Sequence, residues 1–204
     1  ALHDHAEADD QGDEAPAEIR AAAARLRHVS VRCVHLGVGR ERLTEKHWIY
    51  YPEETVFHRI FVQGNASPHC KPPGGFGLTC EIPYSPYKPL PCDGEELTDL
   101  CIRDCIRVGF LREDDAILAR TQADLPCAYV VYDHARRASV DLIRRWLAER
   151  NVHLAGRYSE WEYYNSDHAF IAGKKAADDV RAARLRSAAT LDAAASGSRF
   201  ESAH

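Results

Sequence analysis

Four short runs set the frame for this chain: His28–Leu36 (HVSVRCVHL), His47–Tyr51 (HWIYY), Phe57–Val62 (FHRIFV) and Leu78–Ile82 (LTCEI). Each is rich in β-branched or aromatic residues and is bounded by Gly, Pro, Asn or Asp, the composition of strands closed by turns. Runs this short and closely spaced predict an antiparallel sheet with one covered face. The stretch Asn65–Gly75 (NASPHCKPPGG) holds too much Pro and Gly for either regular element.

The periodicity then changes. In Glu95–Phe110, Leu97, Leu100, Cys101, Cys105 and Val108 recur at helical spacing, with acidic residues at the start, where the macrodipole favours them. Ala128–Tyr132 (AYVVY) reads as a buried-type strand and Ser139–Arg150 as a second amphipathic helix. Leu154–Tyr158 reads as a short strand, followed by an aromatic turn at Glu160–Asn165 and a helix starting near Ser166 or Asp167. Ala21–Leu26 looks like the end of a helix. Asp178–Ala195 is an Ala/Arg/Asp helix former running into a frayed Ser196-Gly197-Ser198 tail. Residues 1–18 are acidic and lack aromatics, which predicts disorder. The expected class is α+β, an antiparallel sheet with flanking helices.

Composition removes several function classes. The net charge is −5, which argues against nonspecific nucleic-acid binding. No stretch approaches the roughly 20 apolar residues of a membrane span. The acidic start lacks the basic and apolar regions of a signal peptide. Seven Cys, an odd number without a regular framework, predict free thiols in a reducing compartment and a cytoplasmic location. No Met occurs, even at position 1, so the expectation is a piece of something longer.

Three parts of the chain could carry chemistry. His47, His58, His69, Cys70, Cys80, Cys92, Cys101, Cys105 and Cys127 form no CxxC or HxxxH pair, so no metal site is expected. No G-x-S-x-G or Walker A motif occurs, and Gly37-Val38-Gly39-Arg40 lacks the third glycine and following helix of a dinucleotide fingerprint. The third place is Gly156–Ala177 (GRYSEWEYYNSDHAFIAGKKAA). Here a strand-like lead-in ends in Gly-Arg, an aromatic turn follows, and Asn, Ser and Asp cap a helix. Backbone N–H groups at a helix start, beside a guanidinium and aromatic rings, suit a planar, electron-rich, anionic ligand. An ordinary capped helix braced by aromatic rings fits the same residues.

This last segment resembles the C-terminal flavin-contacting motif of FAD-dependent amine-oxidase-like enzymes. The likeness is greatest to the protoporphyrinogen-oxidase-like subgroup related to UDP-galactopyranose mutase. It extends upstream through His47–Glu53, Phe57–Ile60, Asn65–Pro68, Pro72–Gly74 and Leu125–His134, so that it spans about residues 28–180. The resemblance implies four parts: an acidic segment and helix end (1–27), substrate-domain-like material (28–149), a C-terminal flavin-contacting segment (150–180) and a helical tail (181–204). It also implies an absent N-terminal Rossmann unit, supplied in cis or in trans, to which 150–180 would add a strand-turn-helix.

By the same resemblance, FAD is the cofactor, with Gly156, Arg157, Asn165, Ser166, Asp167, His168 and Ala169 as its contacts. The amides of Asp167 and His168 would face the pyrimidine edge of the isoalloxazine. In mutase-like relatives an Arg followed six residues later by a Tyr contacts a nucleotide-sugar diphosphate, and Arg157 and Tyr163 have that spacing. Arg59, Tyr50, Tyr129 and Tyr132 are candidates for lining a substrate cavity. Relatives often place Asp-Met before the final Asp, where this chain has Asn165-Ser166. The implied activity of the full-length protein is oxidation of a small molecule, with hydride passing to flavin N5; for this chain alone, activity stays open. The alternatives are a mutase-like isomerase using reduced FAD on a nucleotide sugar, and a noncatalytic interaction domain.

Overall fold

The structure, a computed structural model, describes residues 15–52 and 55–197, with side chains through residue 186. The elements in chain order are α1 (Ala17–Ala24), β1 (His28–Val38), β2 (Trp48–Tyr50), β3 (Arg59–Phe61), β4 (Phe76–Tyr84), α2 (Gly94–Arg107), β5 (Ile117–Val130), α3 (Arg136–Ala148) and α4 (Ser166–Gly197). The chain divides into two units, His28–Tyr129 and Ala1–Arg27 with Val130–His204.

The first unit is a five-stranded sheet in the order β2-β3-β4-β1-β5, carrying α2. All four β-rich runs are strands. β1 and β4 pair antiparallel from Ser30↔Tyr84 to Val38↔Phe76. Alternation sends Val34, Leu36, Val38, Ile60, Leu78, Cys80 and Ile82 into one core with Leu97, Cys101 and Cys105 of α2. The β2–β3 hairpin is fastened by cross-strand rings: Trp48 faces Phe61, their centroids 4.3 Å apart. Its connecting loop is pinned by Phe57, which is fully buried, and by Asp104, whose carboxylate accepts from the Val56 amide at 2.6 Å. All seven cysteines are free thiols, and Cys33, Cys80, Cys101 and Cys105 are buried. Burial and the neighbouring Cys101 and Cys105 push the Cys80 thiol well above its ordinary value, so it stays neutral.

The second unit packs α1 on α3 through Ile19, Ala22 and Val140, with Arg25 Nε donating to Ser139 Oγ at 3.4 Å. The helix expected near Ser166 and the helix former at Asp178–Ala195 are one element. Lys174–Asp178 and Lys175–Asp179 ion pairs, each four residues apart, bridge the join. The acidic residues 1–14 and the tail from Ser198 lie outside the described residues. Among the described residues, no helix is long and apolar enough to cross a membrane.

Two local expectations are corrected. Ala128–Tyr132 is only the end of a 14-residue strand, β5, which stops at Val130 and is exposed along most of its length. Leu154–Tyr158 is no strand. A strand needs a neighbour, and no described residue bonds the backbone N–H of His153, Leu154 or Ala155. After this extended stretch the chain turns at Gly156, whose φ is +93°.

Candidate functional site

In the second unit the segment from Gly156 to Ala169 is a braced turn leading into α4. Gly156 takes the left-handed backbone its missing Cβ permits, with open space where a side chain would begin. Trp161 is also left-handed, at φ +52°, which a bulky residue adopts only when its surroundings compel it. Arg136 supplies the compulsion. Its Nε and Nη2 donate to the Trp161 carbonyl at 2.9 and 2.5 Å, its guanidinium pairs with Glu162, and it lies 4.3 Å from the centroid of the Tyr132 ring. Tyr132 donates to Glu162 Oε2 and accepts from the Tyr163 amide, both at 2.7 Å. Glu160 accepts from Arg144 at 3.2 Å, from Tyr164 at 3.1 Å and from the Gly156 amide at 3.2 Å. Glu160 and Glu162 are therefore the tie points of the turn.

Arg157 sits inside this arrangement. Its guanidinium carbon is 4.5 Å from the Tyr163 ring centroid and 5.8 Å from that of Tyr158, and Nη1 donates to the Tyr164 carbonyl at 3.1 Å. Arg157 and Tyr163, chosen for their six-residue spacing, are thus in contact. The Asn165 carbonyl accepts from the Ala169 amide at 3.0 Å, so Asn165 stands just before the first helical turn. The amides of Ser166, Asp167 and His168 have no carbonyl partner from within α4. His168 stacks on Tyr164 with centroids 5.8 Å apart and lies 3.2 Å from the Asp167 carboxylate.

Partial burial alone would raise the Glu162 carboxyl. Hydrogen bonds from Tyr132 and Arg136 and the Arg136 charge outweigh it and hold the group below the ordinary glutamate range. A depressed carboxylate contributes stability above its unfolded value, about pH 4.3, and loses it as pH falls through the lower folded value. Acid titration of the chain, followed by tryptophan fluorescence, should show the turn loosening below about pH 4. In Glu162→Gln that step should vanish. An identical acid transition in both proteins would remove Glu162 as its cause.

In the first unit, residues of the opposite parity gather on the other face of the sheet, away from α2. Arg59 and Glu81 are register partners on β3 and β4 and form an ion pair, Nη2 to Oε2 at 2.7 Å and Nε to Oε2 at 2.8 Å, with side chains 18% and 11% exposed. The same guanidinium donates to Tyr50 Oη at 3.2 Å and to Tyr129 Oη at 2.7 Å, and lies 4.4 Å from the Trp48 ring centroid. Burial disfavours its charge, but the Glu81 and Tyr50 hydrogen bonds prevail and its pKa is raised. Two phenol oxygens are thereby aligned by one cation. Further along this face His35 Nδ1 is 2.8 Å from Thr79 Oγ1, which also accepts from Gln63. Cys33, the register partner of Glu81, keeps a neutral thiol because burial and the carboxylate both raise its pKa.

The sequence-derived residues therefore fall into two sets. Arg59 and Tyr129 meet, together with Tyr50; Gly156, Arg157, Tyr163 and Asn165–Ala169 form one continuous turn; Tyr132 belongs with the turn, through Glu162. Sequence reasoning missed Glu81, Arg136 and the role of Glu160 and Glu162. One signal for Arg136 was present: two arginines open α3, where the macrodipole disfavours cations, so that something else must hold them. Among the described residues, no group of three or more His, Cys, Asp or Glu side chains is placed to hold a metal ion.

No protein-family model matches the chain. Among solved structures it superposes on a reduced UDP-galactopyranose mutase with a TM-score of 0.74 and 26% identity, covering 79% of this chain and 35% of that one. It also superposes on a proposed protoporphyrinogen oxidase from Exiguobacterium sp. 255-15, with a TM-score of 0.58 and 11% identity, covering 80% of this chain and 36% of that one. The second likeness is one of fold. The chain spans little more than a third of either protein. Over most of its own length, then, this chain is similar to a UDP-galactopyranose mutase and shares a fold with a proposed protoporphyrinogen oxidase.

Proposed function

We propose that this chain is the C-terminal part of an FAD-dependent oxidoreductase of the amine-oxidase-like superfamily, completed by an N-terminal Rossmann unit in cis or in trans. The observation that carries the reading is the braced turn from Gly156 to α4. It joins an open glycine, an arginine lying on aromatic rings and a run of amides without helical partners. Those groups fit the edge of an isoalloxazine. No described residue offers a Gly-rich cradle for the pyrophosphate, which fits a Rossmann unit elsewhere. The unpaired extended stretch at 153–155 supports the same division, since its backbone is open to an added strand.

On this reading residues 28–149 serve the substrate, 150–180 the flavin, and 181–204 are a helical tail. Hydride acceptance at N5 is the chemistry FAD supplies when bound. The amides of Ser166, Asp167 and His168 donate toward the pyrimidine edge, where negative charge collects on reduction. Gly156, Asn165 and Ala169 set the backbone of that contact. In the sheet unit, Arg59 fixes the Tyr50 and Tyr129 hydroxyls as hydrogen-bonding groups toward a small polar substrate.

Arg157→Lys in the completed enzyme should weaken flavin or substrate binding by about 1–3 kcal/mol, because Lys cannot make the flat, two-pronged contact of a guanidinium. Loss of the ring contact and of the Tyr164 carbonyl bond should also lower the melting temperature. Normal binding by the surviving folded fraction would make Arg157 a purely structural residue and defeat its place in the site.

The 26% identity to the mutase and the Arg157–Tyr163 contact favour a second reading, an isomerase acting on a nucleotide sugar with reduced FAD. Interconversion of UDP-sugar isomers only after flavin reduction would select it. Substrate-dependent bleaching of oxidised flavin would select the oxidoreductase. A completed protein that never turns yellow would leave a noncatalytic interaction domain.

A further inference from the structure

We propose that His35, Gly37 and Gly77 form a subsite for a flat, carbonyl-bearing part of the substrate, on the sheet face away from α2. The proposal rests on the reading of that face as the substrate face. Two independent features carry it: a glycine that no packing explains and a histidine whose ring proton is directed outward.

Gly37 and Gly77 are register partners, the next pair after His35 and Thr79 on the same face. Together they leave a patch of backbone without side chains. Gly37 has a packing reason, because a Cβ there would stand 3.2 Å from the Ala119 Cβ of β5. Gly77 has none. A Cβ there would meet nothing nearer than Gln63 Oε1, at 3.9 Å. The β1–β4 register runs past it without a bulge, and its backbone is not left-handed. Glycine weakens a strand, and with bulge, turn and crowding removed, close approach of a ligand is the reason left.

His35 Nδ1 lies 2.8 Å from Thr79 Oγ1, to which the Gln63 side-chain amide donates. Turning that amide over would bury an NH2 where the unpartnered Oε1 now stands, and an orphaned donor pair costs more than an orphaned carbonyl. With Thr79 Oγ1 accepting from Gln63, its own proton goes to His35 Nδ1. In the neutral imidazole the remaining proton is then on Nε2. Among the described residues nothing accepts from Nε2.

A donor beside bare backbone takes a flat group with an oxygen acceptor. An ammonium, which has only donors, leaves it unsatisfied. Phe61, the register partner of Thr79 on β3, stands on the same face with its ring stacked on Trp48. The Arg59–Glu81 pair lies two residues away along the strands, about 7 Å, so the subsite is a second anchor beside it.

Nuclear magnetic resonance of the isotope-labelled 204-residue chain tests this with two probes of similar size. Benzamide, a flat ring with a carbonyl oxygen, should shift the Gly37 and Gly77 amides and the His35 ring saturably, in the millimolar range. Benzylamine, the same ring carrying an ammonium, should bind at least about tenfold more weakly. The His35 ring proton should sit on Nε2, and Thr79→Val should release it to either nitrogen. Valine suits a strand, so Gly77→Val should hold or raise the melting temperature while benzamide binding falls about tenfold or more. Equal binding of both probes, unmoved Gly77 signals, a proton on Nδ1, or undiminished binding by folded Gly77→Val overturns the proposal. Should that variant fail to fold, undiminished benzamide binding by His35→Phe overturns it instead. None of these readouts needs flavin, so a completed protein that stays colourless defeats the flavin reading and leaves them intact.

Discussion

Replacing Arg59 by Met should destabilise the sheet unit by about 2–4 kcal/mol, a range set by stranding a mostly buried carboxylate and lowered somewhat by the water that still reaches the pair. Glu81, 11% exposed, would be left without its ion-pair partner. Tyr50 and Tyr129 would lose the donor that both now share. Denaturant unfolding of the variant measures the first effect. The second should appear in the completed enzyme as weaker substrate binding, and Glu81→Gln separates the two. With Glu81 neutral, Arg59→Met should cost much less stability, yet substrate binding should stay impaired. If restoring stability in the double variant also restores binding, the phenols are packing groups and the substrate face lies elsewhere.

The isolated chain should bind FAD at least about 1,000-fold more weakly than the completed protein. The pyrophosphate contributes several charge-assisted hydrogen bonds of about 1.5–3 kcal/mol each, and nothing in this sequence supplies their donors in a Gly-rich turn. Gel filtration of the chain with excess FAD should return colourless protein. Adding the Rossmann unit, fused or in trans, should return yellow protein with one flavin per chain. Tight, stoichiometric binding by the 204 residues alone would contradict the proposed division of labour.

The sheet was largely legible because β1, β2, β3 and β4 each carry a local signature that needs no knowledge of neighbours. β5 was not, because Ala119, Ala123 and Leu125 alternate with Arg120, Gln122 and Asp124 without the β-branched or aromatic residues that mark the other strands; only pairing with β1 makes it a strand. The reverse error at Leu154–Tyr158 has the same root. Its residues favour extension, but a ladder requires a second chain segment, which local composition cannot supply. Within the site, the turn was readable because its parts are contiguous. Arg59 and Tyr129 were each singled out, yet their bond joins residues 70 positions apart and is invisible to any window. Glu160 and Glu162 look like solvated charges in sequence, since their partners Arg136, Arg144 and Tyr132 lie on other elements.

The left-handed Trp161 has a consequence for how this turn can change over time. Holding a bulky residue at φ +52° costs about 1–3 kcal/mol, and Arg136 offsets that cost by gripping the Trp161 carbonyl. Glycine at 161 would sit there without strain and depend less on the grip, whereas loss of Arg136 leaves the strain unopposed. The order of substitution therefore matters. Glycine at 161 would lift only one of the constraints on position 136, because Arg136 also pairs with Glu162, so the two sites, 25 residues apart, are coupled in the order in which they can change.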